Sequence, residues 1–257
     1  MNLTLVKLVT TPILIGLASL AGRRWGHAIS GWIVALPLTT GPIVLFLALS
    51  HGPAFAADTA TGILTGCFSL VAFTLTYAWL ALRWGWLPTL AAASLAFFVM
   101  TWLLRFAQWP PVPLWLGALV ALLLGLRLFP PPPDAAVVAQ ELPGVWDIPL
   151  RMLIATAFVF AITSLASALG PHLAGLLAPF PLFTATLAAF AQHQAGAGAA
   201  LSVLRGLLLG LFSFASFMFT LAWLLVPLGI PIAFALALLV VFIFQGVALL
   251  RLRGGIR

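Results

Sequence analysis

The stretch Pro37-Leu38-Thr39-Thr40-Gly41-Pro42 lies in the middle of an apolar run over residues 29–49. Proline has no N–H to donate and collides with the preceding helical turn, and glycine adds backbone freedom, so this stretch interrupts a helix. The run around it is long enough to cross a bilayer. Irregular backbone at membrane depth persists only where protein or a water-filled cavity satisfies its polar groups. The stretch therefore predicts a broken membrane helix that lines a site.

Composition decides the class of protein. The chain is 64% apolar and 6% charged, with a mean hydropathy of +1.23, whereas soluble domains carry about 25% charged residues. This predicts an all-α, polytopic integral membrane protein with the lipid bilayer as its partner. The net charge of +7 comes from basic residues scattered between apolar runs. That distribution indicates membrane topology rather than nucleic-acid binding.

Nine windows of about 20 residues are apolar enough to be transmembrane helices. They are 3–22, 29–50, 60–82, 87–106, 112–129, 148–169, 172–192, 203–226 and 229–250. We therefore divide the chain into a first four-helix repeat (1–108), a linker helix with a polar loop (109–146) and a second four-helix repeat (147–257). The prolines in 172–192 leave open whether this window spans the membrane or re-enters as a hairpin.

The basic residues predict the orientation. Lys7 and Arg105 fall on one side of the predicted membrane, and the other nine fall on the opposite side: Arg23, Arg24, Arg83, Arg127, Arg151, Arg205, Arg251, Arg253 and Arg257. The positive-inside rule then places the C-terminus in the cytoplasm and the N-terminus outside. The predicted location is a bacterial inner membrane.

The chain also contains an internal repeat. A shift of 144 residues aligns 25–85 with 169–229 without a gap and gives 19 identities in 61 positions. One linker span between two four-span units makes the second unit enter the membrane from the opposite side. The prediction is an inverted 4+1+4 repeat with proline-broken helices 2 and 7, which is typical of secondary transporters. The alternative is a duplicated scaffold without transport activity.

Each half resembles the GlpM-like family of small four-span bacterial membrane proteins. The resemblance rests on Ala174-Gly175-Leu176 followed by Pro181-Leu182-Phe183, then on Gly196, Arg205 and Gly206, and on the span 210–223. It covers roughly 23–107 and 167–251. The first copy departs from the pattern, with Thr39 at the position of Phe183 and Pro42 at that of Thr186. The resemblance implies a membrane protein linked to cell-envelope polysaccharide production and supplies no catalytic residue.

The two helix breaks are the predicted substrate site. A helix that restarts in mid-membrane presents free N–H groups and a positive dipole end, which suit an anionic or polar group. The candidate residues are Pro37, Thr39, Thr40, Gly41, Pro42, Pro179, Pro181, Thr184 and Thr186. The alternative is a pair of proline kinks whose freed carbonyls are satisfied by neighbouring hydroxyls.

Four further residues are candidates for gating or proton coupling. His193 and Gln192 close the second broken helix, and histidine titrates near neutrality. Asp147 and Arg151 stand four residues apart at the start of the sixth span, where they form a helix-terminal pair. The alternative is that all four are ordinary interfacial residues. We assign Asp58 to a loop or an interface and His172 to a loop.

The predicted function is transport. The sequence has no phosphate-binding loop, paired carboxylates, nucleophile triad or metal-ligand spacing, so we expect no enzymatic activity, cofactor or metal. We predict a transporter, or a flippase, for small neutral, polar or lipid-linked substrates, with its site between the repeats. The alternative is a non-transporting accessory protein for cell-envelope polymer assembly. The pattern leaves open a homodimer.

Overall fold

The computed structural model describes residue 13 and residues 36–37, 40–107, 109–131 and 147–254. Every regular element in these residues is a helix, as predicted, because an apolar chain in lipid must satisfy its backbone groups within its own segments. The helices are α1 (Thr40–His51), α2 (Pro53–Ala81), α3 (Trp86–Leu104), α4 (Pro111–Arg127), α5 (Asp147–Leu177) and α6 (Leu182–Gly254).

Glycines interrupt the two longest elements. Gly170 (φ 77°, ψ 164°) breaks α5, and Gly196 (φ 80°, ψ 179°) and Gly229 (φ 74°, ψ 173°) break α6. This backbone region is essentially restricted to glycine, because a Cβ atom collides there with the chain. The breaks divide the elements into segments that we call α5a (147–169), α5b (171–177), α6a (182–195), α6b (197–228) and α6c (230–254).

The length and apolar composition of the helices are consistent with a membrane protein. Three stretches of the described residues are long and apolar enough to cross a bilayer: Pro53–Ala81, Trp86–Leu104 and Thr184–Phe244. The 29 residues of α2 extend about 43 Å at 1.5 Å per residue, more than the roughly 30 Å of a hydrocarbon core. Helix α2 is therefore long enough to span a hydrocarbon core with its terminal turns to spare.

The prediction of nine spans is not matched by these elements, since the described residues form six helices. One predicted span, 3–22, lies outside the described residues apart from residue 13. In addition, α5 and α6 each contain parts of more than one predicted span. The glycines at 170, 196 and 229 kink these two elements but do not divide them into separate helices. The helix count therefore does not establish the inverted repeat.

Helix α2 is the centre of the bundle and packs against all five other helices. Its glycines allow the closest of these contacts. A Cβ atom on Gly62 would meet the His172 carbonyl oxygen and the Cα atom of Gly175, and one on Gly175 would meet the Thr59 carbonyl oxygen. Small residues of this kind let two membrane helices approach to backbone contact. They fix α5b against the first half of α2.

Hydroxyl groups in the bundle are satisfied locally. Thr59 donates to the Phe55 carbonyl oxygen (2.9 Å), Thr74 to that of Leu70 (2.7 Å) and Thr220 to that of Ser216 (2.8 Å). Each of these bonds reaches back one helical turn, so the polar atom is paired without a partner from another helix. Threonines that lack such a bond therefore stand out.

Helices α2 and α6b run antiparallel. Near the start of α2, Asp58 lines a cavity together with Val226 from the end of α6b. Near the end of α2, the Ala81 carbonyl oxygen accepts a hydrogen bond from Gln192, which precedes α6b. We call these two ends of the bundle the cavity end and the latch end.

The segment 172–192 crosses the bundle. The His172 carbonyl lies beside Gly62, towards the cavity end, and the Gln192 side chain lies beside Ala81, at the latch end. The two contact points are 19 residues apart along α2, about 28 Å. The segment is therefore a broken crossing helix rather than a hairpin that returns to its starting side.

Candidate functional site

The first predicted break lies at the start of α1. The Gly41 N–H donates to the Pro37 carbonyl oxygen at 2.8 Å, which is the first helical bond after the proline. Thr40 and Gly41 are buried, Pro37 and Pro42 are half-buried, and Thr39 lies outside the described residues. The Thr40 Oγ1 atom is buried and has no hydrogen-bond partner within the described part of the chain, unlike the other threonines described above.

The second break separates α5b from α6a. The Phe180 N–H donates to the Leu177 carbonyl oxygen at 3.1 Å, and the Ala185 N–H donates to that of Pro181 at 2.7 Å. Pro179, Pro181 and Thr184 are buried. Thr186 is half-buried and makes a side-chain interaction of its own. The break is thus enclosed by protein rather than exposed to lipid.

Large side chains fill the surroundings of both breaks. The Phe217 ring of α6b lies 3.8 Å from the position that a Cβ atom on Gly41 would take. At the second break, Pro179 packs against Gly66 of α2, and Phe180 stacks on Phe98 with 5.1 Å between ring centroids. Each break therefore packs against a helix of the opposite half of the chain.

The latch end contains two of the predicted gating residues. The Gln192 amide nitrogen donates to the carbonyl oxygens of Ala81 (3.3 Å) and Trp84 (2.8 Å), which are left unpaired where α2 ends. The exposed His193 ring lies 5.9 Å from the Trp86 ring, centroid to centroid. Gln192 therefore closes the bundle at this end by joining α6a to the end of α2.

The other two gating candidates are less fully described. Asp147 and Arg151 lie in α5a, so the predicted helix is present at both positions. Their side chains lie outside the described part of the chain. The predicted pairing of the two charges therefore stays a prediction.

A cavity of about 640 Å³ occupies the opposite end of the bundle. Its described lining residues are Ala54, Ala57, Asp58, Thr61, Trp109, Pro110, Pro111, Pro171, His172, Ala222 and Val226. None of the predicted break residues is among them. Asp58 and Trp109 are exposed, so the cavity opens to the surroundings of the protein. Its volume falls within the range of about 300–1,000 Å³ that is typical of small-molecule sites.

Asp58 and His172 give this cavity its polar character. Asp58 is close enough to His172 to interact with it electrostatically, and His172 is hydrogen-bonded to the backbone of Leu104. The His172 Nε2 atom is buried and has no hydrogen-bond partner among the described residues.

Asp58 and His172 both lie in helices, which corrects the prediction for each of them. Asp58 lies within α2, which begins at Pro53 rather than at residue 60, and His172 lies in α5b rather than in a loop. Both follow a Gly-Pro pair, at Gly52-Pro53 and at 170–171. A Gly-Pro pair at the start of a helix is the local signal that would have placed Asp58 within the first two turns of α2 and His172 in the first turn of α5b.

Metal binding receives no support from the described residues, among which no three His, Cys, Asp or Glu side chains are grouped. The cysteine at position 67 is buried.

Comparison with known proteins gives no match. No protein-family model matches this chain, and no curated protein or solved structure matches it either. The GlpM-like resemblance of the two halves therefore stays a prediction, and the function must be argued from the geometry.

Proposed function

We propose that this protein is a membrane transporter, or a flippase, whose substrate enters the cavity between two inverted four-helix repeats. The observation that carries the proposal is the origin of the cavity's lining residues. Asp58 comes from the first repeat, Trp109 from the linker and His172 from the second repeat. A site shared by two repeats changes shape when one repeat moves against the other, as alternating access requires.

Matching backbone geometry supports the repeat itself. Gly52 (φ 91°, ψ 166°) and Gly196 (φ 80°, ψ 179°), which are 144 positions apart, adopt the same glycine-specific conformation. Equivalent hydrogen bonds start both broken helices, from Gly41 and from Ala185. The equivalent helices α2 and α6b are antiparallel, which is the relation that an inverted repeat produces.

The described arginines support the orientation. Arg83 follows α2, and Arg127 is the last residue of α4. Both helices end at the latch end, where the Leu128 carbonyl oxygen accepts a hydrogen bond from Trp79. Arg105 lies at the opposite end, next to Leu104, to which His172 is bonded. The positive-inside rule therefore favours a cytoplasmic latch end and a cavity that faces outward.

The two ends define a conformational cycle in this proposal. The arrangement is outward-open, because the cavity is open at one end while Gln192 binds the end of α2 at the other. Rocking one repeat against the other would break the two Gln192 bonds and narrow the cavity. A neutral hydrogen bond contributes about 0.5–1.5 kcal/mol. The two Gln192 bonds therefore favour the outward-open arrangement without preventing its exchange with an arrangement in which the cavity is narrowed.

Reconstitution into liposomes tests the proposal. A panel of neutral polar solutes, small amines and fluorescent lipid-linked sugars is assayed with wild-type protein and with Ala54→Trp, which places a bulky ring in the cavity. The control is Leu95→Trp, at an exposed position on α3 away from the cavity. We expect flux of at least one solute, with a loss in Ala54→Trp but not in Leu95→Trp. Absence of flux across the panel would contradict the proposal.

The packing of the breaks favours a second candidate function. Phe180 lies against both Phe97 (5.2 Å) and Phe98 (5.1 Å), so the second break is filled by aromatic rings. A filled break suits a rigid accessory protein for cell-envelope polymer assembly. That candidate predicts no flux in liposomes for any variant, together with loss of polymer production when the chain is deleted.

A further inference from the structure

The cavity offers hydrogen-bond acceptors and few donors. The Thr61 hydroxyl already donates to the Ala57 carbonyl oxygen at 3.0 Å, so its oxygen can only accept. The His172 ring interacts with the backbone of Leu104, and its Nε2 atom is buried, so we do not count the ring among the groups free to bind a ligand. The three prolines of the lining have no N–H groups. Among the described lining side chains, the Trp109 indole N–H is the remaining donor.

The cavity also contains an uncompensated negative charge. No salt bridge to Asp58 is present in the described part of the chain, and the carboxylate accepts through both of its oxygens. The nearest described cation in sequence to the cavity wall is Arg105. Its guanidinium lies over the rings of Trp102 (5.0 Å) and Phe106 (4.3 Å), on the aromatic surface of the bundle. Asp58 is therefore available to a ligand.

Trp109 adds a surface that suits a cation. Its ring is 51% exposed and is held edge-on by Phe68, with 6.5 Å between centroids. The face of an indole ring attracts ammonium groups through its quadrupole. Ala54, Ala57 and Val226 supply an apolar wall beside it.

We propose that the cavity binds the primary ammonium group of its ligand, with Asp58 as the counter-charge and Thr61 Oγ1 as a further acceptor. An ammonium has three N–H donors and no acceptor, which complements this set of groups. The proposal rests on the proposed function in taking the cavity as the substrate site. The same ammonium chemistry is present in a soluble amine and in the headgroup of phosphatidylethanolamine.

Calorimetry with three probes of equal length tests the charge preference. Wild-type protein in phosphatidylglycerol nanodiscs is titrated with 4-aminobutan-1-ol, butane-1,4-diol and 4-hydroxybutanoate. A hydrogen bond to a charged group contributes about 1.5–3 kcal/mol, so we expect the amine to bind about 10- to 150-fold more tightly than the diol. The carboxylate should bind most weakly.

A second experiment tests whether the bound ammonium group belongs to a lipid headgroup. The unfolding temperature is measured in phosphatidylglycerol nanodiscs with and without phosphatidylethanolamine. A rise caused by phosphatidylethanolamine in the wild type, and absent in Asp58→Asn, assigns the ammonium to the lipid headgroup. Binding of the aminoalcohol with no such rise assigns it to a soluble amine. Either result supports the proposal.

Variants of the exposed Asp58 separate charge from shape. Asp58→Asn keeps the size of the side chain and should reduce amine affinity at least tenfold without changing diol affinity, and Asp58→Glu should restore part of it. Equal binding of all three probes, unchanged amine affinity in Asp58→Asn, or no response in either experiment would overturn the inference. Flux of a neutral solute that is insensitive to Asp58→Asn would overturn the ammonium preference but not the proposed transport function. Charge-selective binding without any flux would overturn only the proposed function.

Discussion

The side-chain amide nitrogen of Gln192 lies 2.8 Å from the carbonyl oxygen of Trp84. A residue from the second half of the chain thus caps the end of the central helix of the first half. The bond lies at the end of the bundle opposite the cavity that contains Asp58 and His172. The protein therefore has one end closed by hydrogen bonds and one end open, which is the geometry on which the following predictions depend.

Removal of the side-chain hydroxyl groups of Thr40 and Thr184 should affect transport and thermal stability differently. Thr40 Oγ1 is buried without a partner, so Thr40→Val should leave thermal stability unchanged or raise it. If the breaks lie on the substrate path, Thr40→Val combined with Thr184→Val lowers liposome flux severalfold while the unfolding temperature holds. Unchanged flux in the double variant would exclude the breaks from the path and leave the cavity as the site.

The contact between α2 and α5b should be intolerant of a methyl group. Gly62→Ala and Gly175→Ala each place a Cβ atom against a backbone carbonyl oxygen of the facing segment. Overpacking of this kind costs about 1–3 kcal/mol, so we expect lower unfolding temperatures in detergent. Gly85→Ala is the matched control, because φ there is −66° and nothing lies within 4 Å. Equal stability of all three variants would refute the close contact.

The turn between α6a and α6b should require glycine for a different reason. Space around Gly196 is free to 4 Å, but its φ of 80° is unfavourable for any side chain. Gly196→Ala should destabilise the protein by about 1–3 kcal/mol. Gly246→Ala, which also meets nothing within 4 Å, lies inside α6c and should be neutral or stabilising. A neutral Gly196→Ala would show that the chain turns by another route.

Much of the fold could be predicted from local sequence. Composition predicts the all-helical membrane class, because so few charged residues cannot cover a soluble domain. Helices α1 and α6 begin at Thr40 and Leu182, shortly after Pro37 and Pro181, since a proline cannot continue the preceding turn. Residues 14–35 lie outside the described part of the chain, so the predicted break of helix 2 stays a prediction. The glycine breaks inside α5 and α6 were not predicted as backbone features, although Gly52 and Gly196 align in the repeat.

The cavity could not be predicted from the sequence. Asp58, Trp109 and His172 come from three separate parts of the chain, and no local pattern shows that they line one space. Their meeting follows from the close approach of Gly62 and Gly175, which brings α5b onto the first half of α2. The sequence predicted Gln192 as a gating residue, but the residues that it binds could be assigned only from the structure.

Distance measurements between spin labels test alternating access most directly. In a Cys67→Ser background, one label pair is placed across the cavity at Ala54 and Val226, and another at the latch end at Arg83 and His193, all exposed positions. Gln192→Ala removes the latch, and Gln194→Ala, two residues away, is its control. We expect Gln192→Ala to shorten the cavity distance and lengthen the latch distance together, with no change in Gln194→Ala. Unchanged distances at both ends in Gln192→Ala would contradict a rocking transporter.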